Sequence, residues 1–426
     1  MRYDEYKDSG ATWIGKIPSA WKVGRLKNYL KRTDARNPGG VQVLSLYREL
    51  GIVPKDSRDD NHNVTSEDTS NYKYVEVGDF VVNKMKAWQG SVAVSDHEGI
   101  VSPAYYVYKF LNNSFHKRYF HYLIRSCYKD EFMRLSAGIR IGQWDLSSND
   151  LDCTLVLVPA MDEQVAIAEF LDKKTSYIDS IIAEAKASIE EYKSWKASII
   201  YEAVTKGLDP NVEMKDSGVR WIGEMPTAWN RTKLSNCFET IGSGTTPTSD
   251  YDSYYGGEIN WLQSGDINGG YVYETKKKIT NEAYSAFSAL KIYSAPFLAI
   301  AMYGASIANT SIVNIDACTN QACCVFGDAN ELVDMDFVFF AVLAAKEELL
   351  LSARGGTQPN INQDVLKKLM IPIPSKKEQR NIAEYLIDKC TTIQGLISEK
   401  ESLIEDLEAY KKSIIFEVVT GKKKVC

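Results

Sequence analysis

Between Met161 and Gly207 apolar residues recur at helical spacing: Ile167, Phe170, Leu171, Ile178, Ile181, Ile182, Ile189, Tyr192, Trp195, Ile199 and Ala203. Glu, Lys and Asp fill the other faces, no proline interrupts the run, and its one glycine is the last residue. This pattern predicts one amphipathic helix, longer than an ordinary globular helix. About forty-five helical residues would span roughly 65 Å at about 1.5 Å each. The pattern returns from Lys376: Glu163–Gln164 recurs as Glu378–Gln379, Ile167–Ala168–Glu169 as Ile382–Ala383–Glu384, and Ser198–Ile199–Ile200 as Ser413–Ile414–Ile415, at a constant offset of 215. Neither apolar stripe is stable in water, so the two copies are expected to pack together. The residues expected in that contact are Ile178, Ile182, Ile189, Tyr192, Ile199, Ile393, Ile397, Ile404, Leu407 and Ile414. Ser375 and Glu378 form a capping-box signature before the second copy, the first copy has only Ala160 there, and Gly207 and Gly421 fit helix stops.

A second repeat precedes each intervening segment. Lys7-Asp8-Ser9-Gly10, Trp13-Ile14-Gly15, Pro18 and Trp21 recur as Lys215-Asp216-Ser217-Gly218, Trp221-Ile222-Gly223, Pro226 and Trp229, at an offset of 208. The chain order is therefore motif, variable segment, helix, twice over. If the helices run antiparallel, the N-terminal motif supplies the C-terminal helix with the partner it lacks, and the molecule is pseudo-two-fold and circularly closed. The expected divisions are 1–21, 22–159, 160–207, 208–229, 230–374 and 375–426.

The two variable segments hold short β-type runs broken by Gly, Asn and Asp. In the first these are Val41–Leu46, Lys73–Val77, Asp79–Val82, Ser91–Val94 and Ala104–Tyr108; in the second, Glu258–Leu262, Phe297–Met302, Thr310–Ile315 and Cys323–Phe326. Each segment has one helical pattern, His116–Leu135 and Asp336–Leu351, and closes on a turn and an apolar strand. The expected class is α+β: two α/β modules separated by an antiparallel coiled coil of long helices.

At 426 residues, 44% hydrophobic and 25% charged, the chain has the make-up of a soluble protein of more than one domain. The polar N-terminus shows no signal peptide, and the most apolar run, Ala295–Ala308, is too short for a membrane span. Scattered cysteines without a CxxC pair suit a reducing cytoplasm, and the vicinal Cys323–Cys324 lies in an apolar, strand-like run. A net charge of −6 is a weak argument against nucleic-acid binding, because the segment from Lys22 to Leu157 is slightly basic and holds every histidine.

Catalytic signatures are missing. There is no GxxxxGK[ST], no HExxH, no GxSxG and no metal-spaced Cys/His cluster. His62, His97, His116 and His121 read as surface or satisfied core residues, and no Asn/Asp-Pro-Pro-aromatic tetrapeptide of an amino-methyltransferase is present.

Two stretches carry binding chemistry instead. The first is Asn83–Gly90, with Lys84, Lys86, Trp88 and Gln89, followed downstream by Arg140 and Gln143. Lys and Arg suit phosphates or guanine edges, and Gln suits adenine N6/N7; the alternative is a solvated hairpin over a packed aromatic. The second is Gly242–Ser249, with Ser243, Thr245 and Thr246, together with Asn320, Gln321, Arg354, Thr357 and Gln358. Its glycines permit close backbone approach to a ligand; the alternative is turn chemistry.

The duplicated Glu-Gln…Ile-Ala…Leu helices, the duplicated Lys-Asp-Ser-Gly…Trp-Ile-Gly…Pro…Trp leads and the module signatures resemble the specificity subunit of a bacterial type I restriction–modification enzyme. Val77-Gly78-Asp79, Asn83-Lys84-Met85, Trp88 and Gly99–Tyr105 are similar to one class of target-recognition domain; Gly244–Pro247, Trp261, Gly265-Asp266, Asn320-Gln321 and Gly356–Gln358 are similar to another. The resemblance implies a non-catalytic chain whose two recognition domains each read one half of a bipartite double-stranded DNA target through the major groove. The helix pair would set the unread spacer, and half-sites one turn apart lie about 34 Å from one another. Two methylation subunits, using S-adenosylmethionine, and restriction subunits, using ATP and Mg, would dock on it, and neither cofactor would bind this chain. Partners could supply part of the phosphate-neutralising surface and would flip the target base. The alternatives are a stand-alone nuclease or methyltransferase-associated enzyme subunit and a coiled-coil adaptor that binds no DNA.

Overall fold

The computed structural model describes residues 2–48, 50–57, 65–138, 144–248, 251–353 and 360–425. The chain divides into two compact units, Met1–Ala185 with Glu401–Cys426, and Lys186–Lys400.

In the first unit a four-stranded antiparallel sheet has the order Leu30–Thr33, Tyr105–Phe110, Phe80–Asn83, Val92–Val94. The helix Lys117–Cys127 shares a core with it: Tyr119, Phe120, Leu123 and Ile124 are buried with Phe80, Val82, Val92 and Val94. The helical pattern His116–Leu135 breaks at Tyr128 into two helices, the second being Lys129–Leu135. Tyr128 is buried and donates its hydroxyl to the Leu155 carbonyl at 2.8 Å, so tertiary anchoring overrides local periodicity there. The strand entering the module, Lys22–Arg25, pairs antiparallel with the strand leaving it, Leu155–Val158.

The second unit repeats this plan with different contents. Its main sheet has five strands, Phe238–Gly242, Cys323–Ala329, Phe297–Ala301, Thr310–Val313 and Tyr271–Val272. Helix Met335–Ala344 buries Phe337, Val338, Ala341 and Val342 in the core that holds Leu298, Ile300, Ile312 and Phe326. The pattern Asp336–Leu351 also breaks, at Ala345, into Met335–Ala344 and Lys346–Leu351. A separate three-stranded sheet, Lys278–Ile279, Tyr255–Leu262 and Cys318–Thr319, has its own small core around Trp261, Ile279 and Leu290. Entry and exit strands Asn230–Lys233 and Met370–Ile373 pair as they do in the first unit. Helices with mostly antiparallel sheets make the class α+β.

The long helices run Met161–Lys206 and Lys376–Val419 without interruption. In the first, the buried Gln164, Ala168, Leu171, Thr175, Ile178, Ile182, Ala185 and Ile189 alternate in steps of four and three, a heptad spacing, while Ile167, Ile200, Ala203 and Val204 are buried in the module cores. Ile393, Ile397 and Ile414 of the second are buried; Tyr192, Ile199, Ile404 and Leu407 are half-buried. Trp195, expected on the apolar stripe, is 51% exposed, because its position falls off the heptad. Within the first unit Lys411 Nζ bonds both carboxylate oxygens of Asp179, at 2.6 and 2.7 Å. Within the second, Lys196 Nζ donates to Gln394 Oε1 at 3.3 Å.

The repeated leads close the helix ends. In the first unit Ile14, Ile17 and Trp21 are buried with Ile414, Val418 and Val419; in the second, Ile222, Met225 and Trp229 are buried with Ile200, Ala203 and Val204. Gly421, at φ +71°, ends the second helix where a Cβ would sit 2.3 Å from Pro18 Cδ, so both conformation and space require glycine. Ser375 Oγ accepts from the Glu378 amide at 3.3 Å, the forward half of the expected capping box. Among the described residues no helix is long and apolar enough to cross a membrane.

Candidate nucleic-acid interface

In the first module the Asn83–Gly90 stretch leaves the sheet strand Phe80–Asn83 as a tight turn. Asn83 Oδ1 accepts from the Met85 amide at 3.2 Å, Trp88 Nε1 donates to the Met85 carbonyl at 3.0 Å, and Gly90 takes the left-handed conformation at φ +88°. Trp88 meets Trp144 edge to face, ring centroids 5.4 Å apart. Its indole N–H is thus used within the turn, leaving the ring as a half-exposed apolar surface. Lys84 is tied down: its Nζ lies 2.9 Å from Asp145 Oδ2, and that hydrogen bond raises its pKa above the ordinary lysine value. Lys86 is exposed, and Gln89 Oε1 accepts from the Arg48 guanidinium. A cleft of about 480 Å³ opens beside them, lined by Met85, Lys86, Trp88 and Gln89 with Tyr72 and Tyr105. Arg140 and Gln143 lie outside the described residues, as does His62.

In the second module the loop after Phe238–Gly242 is held by its backbone. Tyr293 Oη donates to the Ser243 carbonyl at 3.3 Å, Trp261 Nε1 to the Thr245 carbonyl at 3.2 Å, and Tyr255 Oη to the Pro247 carbonyl at 2.6 Å. A Cβ on Gly244 would sit 1.8 Å from the Thr319 carbonyl oxygen, so only glycine allows this approach. The loop carries the exposed Thr246 to the exposed Gln321, 75 residues away, with Thr246 Oγ1 donating to Gln321 Oε1 at 2.7 Å. Asn320 is turned inward instead: it is buried, and its Oδ1 accepts from the Ala322 amide at 3.0 Å and the Cys323 thiol at 3.2 Å. Arg354, Thr357 and Gln358 lie outside the described residues. Cys323 and Cys324 are free, buried thiols, each pushed up to about 12 by burial, which keeps them protonated and inert.

The geometry thus brings together Met85, Lys86, Trp88 and Gln89 at one cleft, and Thr246 with Gln321 at one loop, in two modules of different surface. The type I restriction modification DNA specificity domain model matches residues 18–191 and again 226–405. This chain belongs to that family of specificity subunits.

The specificity subunit is 25% identical, over 97% of its length and 96% of the relative's, to the putative type I restriction enzyme MjaX specificity subunit of Methanocaldococcus jannaschii. It is 24% identical, over 96% of its length and 94% of the relative's, to the MjaVIII specificity subunit of the same organism. A solved chain from a structural study of complex assembly and conformational transition of the type I R-M system covers 95% of the specificity subunit and 98% of itself, at TM-score 0.72 and 15% identity. The HsdS subunit from Thermoanaerobacter tengcongensis covers 99% and 100%, at TM-score 0.55 and 16% identity. Those two likenesses establish the fold.

Sequence reasoning missed the Asp145 partner of Lys84 and the inward turn of Asn320. The first joins positions 61 residues apart, so no local pattern carries it. The second has a local signal, an Asn two residues before the amide it bonds.

Proposed function

We propose that this specificity subunit is a non-catalytic DNA reader whose two modules each recognise one half of a bipartite target through the major groove. One observation carries the reading: the same buried anchors recur in both units, Trp21 and Trp229 beside the helix ends and Gln164 and Gln379 at the helix starts, while the polar surfaces of the modules differ. A duplicated support with unlike faces suits two different half-targets. In the first module Lys86 and Gln89 at the rim of the cleft, with Arg140 and Gln143, are assigned to DNA, while Lys84 and Trp88 shape the turn. In the second, Thr246 and Gln321 are assigned to base edges with Arg354, Thr357 and Gln358; Ser243, Thr245 and Asn320 hold the loop.

The long helices are assigned an antiparallel coiled coil whose length sets the unread spacer, in a circularly closed chain. Supporting this, Asp179 bonds Lys411 in one unit and Lys196 bonds Gln394 in the other, so the partner number falls as the first rises. The chemistry is assigned to partners, two methylation subunits with S-adenosylmethionine and restriction subunits with ATP and Mg, in the cytoplasm.

Exchanging residues 230–374 for the corresponding module of another family member, followed by methylation-aware sequencing, tests the reading. One half of the methylated target should change while the other half and the spacer stay. An unchanged target would sink the assignment. Inserting one heptad in each helix should alter the spacer, and an unaltered spacer discredits the length rule.

A further inference from the structure

We propose that Lys276, Lys277 and Lys278 form the phosphate-contacting edge of the second module, holding the DNA backbone so that bases meet Thr246 and Gln321. The inference rests on the DNA-reading role above and assigns the residues that seat the backbone. The run stands on the edge of the three-stranded sheet, with Lys278 opposite Asn260. Its backbone is fixed: the Trp261 amide donates to the Lys277 carbonyl at 3.2 Å, and the Thr275 hydroxyl donates to the same carbonyl at 2.8 Å. Lys276 Nζ donates to the Gly265 carbonyl at 3.2 Å.

All three lysines are exposed, and among the described residues none lies within 4.0 Å of a carboxylate. Lys84, Lys109, Lys193 and Lys411 differ, each being paired with an acid. Cations on a fixed backbone without a protein counter-ion are what a phosphate chain recruits, with release of its own counter-ions. Lysine, a compact point charge, suits such contacts irrespective of base sequence.

Placement supplies the second argument. The central strand Tyr255–Leu262 bears the lysine strand on one edge and Cys318–Thr319 on the other. The Asn320 amide donates to the Leu262 carbonyl at 3.0 Å, and Lys276 reaches Gly265, three residues further on. The lysine run and the segment that carries Gln321 therefore flank the same end of one strand. Tyr273, 67% exposed and just before the run, adds a hydroxyl of the kind that bonds phosphate oxygens.

The test uses the specificity subunit purified with its host's methylation subunit. The probe is a duplex carrying the target identified by methylation-aware sequencing, titrated between about 50 and 200 mM salt. Replacing all three lysines by glutamine should lower the slope of log affinity against log salt by about 2 to 3, leaving the methylated sequence unchanged. Replacing them by arginine should restore the slope, and Gln321→Ala should change the second half-target alone. An unchanged slope in the glutamine variant would overturn the inference, leaving the lysines as guards of an exposed sheet edge. A changed target sequence in that variant would also overturn it, since phosphate contacts carry no sequence. A wild-type complex without affinity for the duplex would overturn the DNA-reading role itself.

Discussion

Gln164 and Gln379, 215 positions apart, are both wholly buried and make the same three hydrogen bonds. Gln164 Oε1 accepts from the His116 amide at 2.8 Å, and its Nε2 donates to the carbonyls of Ser114 and Pro159 at 2.8 and 3.0 Å. Gln379 Oε1 accepts from the Asp334 amide at 2.8 Å, and its Nε2 donates to Leu332 and Pro374 at 2.9 and 3.0 Å. Each glutamine ties the start of a long helix to the loop that launches its own module's helix. The tie adds to the apolar packing of Ile167, Ala168 and Leu171 in the first unit and of Ile382, Ala383 and Leu386 in the second.

Gln164→Leu and Gln379→Leu should each destabilise their own unit by about 3 kcal/mol, because buried backbone groups lose partners worth about 1–3 kcal/mol apiece. Hydrogen exchange should quicken at His116 in the first variant and at Asp334 in the second. Unchanged protection at those amides would show that the glutamines do not hold the loops.

Gly244→Ala should disable the second module's reader. The new methyl would meet the Thr319 carbonyl at 1.8 Å, and backbone cannot swing aside as a side chain does. The loop must shift, separating Thr246 from Gln321. Methylation-aware sequencing should show the second half-target relaxed or lost with the first unaffected; an intact second half would remove the loop from the interface.

His121 makes the first unit acid-sensitive. Burial, with Arg125 and Arg118 nearby, pushes its pKa down from 6.5 to about 4. The imidazole is neutral when folded but takes a proton when unfolded, so stability is full above pH 6.5 and falls as pH drops toward 4. The loss approaches about 3 kcal/mol at roughly 1.4 kcal/mol per pKa unit. Denaturant midpoints of His121→Gln should decline less over that window than wild type; equal declines would place the acid sensitivity elsewhere.

A circular permutant tests closure. In the first unit Lys422 Nζ donates to the Ile14 carbonyl at 3.2 Å and Lys424 lies 5.8 Å from the Tyr3 ring, so the ends of the chain are neighbours. Joining residue 425 to residue 2 and opening the link between Gly207 and Met214 should give a folded protein with the same methylated target. A permutant that aggregates or changes target would argue that the termini are not interchangeable with that link.

Periodicity made the support legible. Two long apolar stripes without proline, and two leads with the same tryptophans, appear directly in residue order because helix burial repeats every three or four positions. Module interiors were less legible. The helical patterns across Tyr128 and Ala345 read as continuous, yet each breaks, at Tyr128 where its hydroxyl bonds the Leu155 carbonyl and at the buried Ala345. Short helices such as Asn281–Ala286 and Gln363–Lys368 are too brief to leave a periodic trace.

By itself the sequence determined that the chain is a duplication, where the long helices begin and end, and which family it resembles, since all of these depend on residue order. Tertiary structure decided which polar residues are available. Asp145 neutralises Lys84 from 61 positions away, Asn320 turns inward, and Thr246 finds Gln321 across 75 positions. It also left the run at Lys276 exposed and without a carboxylate partner among the described residues. Whether a charge is free or paired depends on what folding brings beside it, and spacing along the chain does not carry that information.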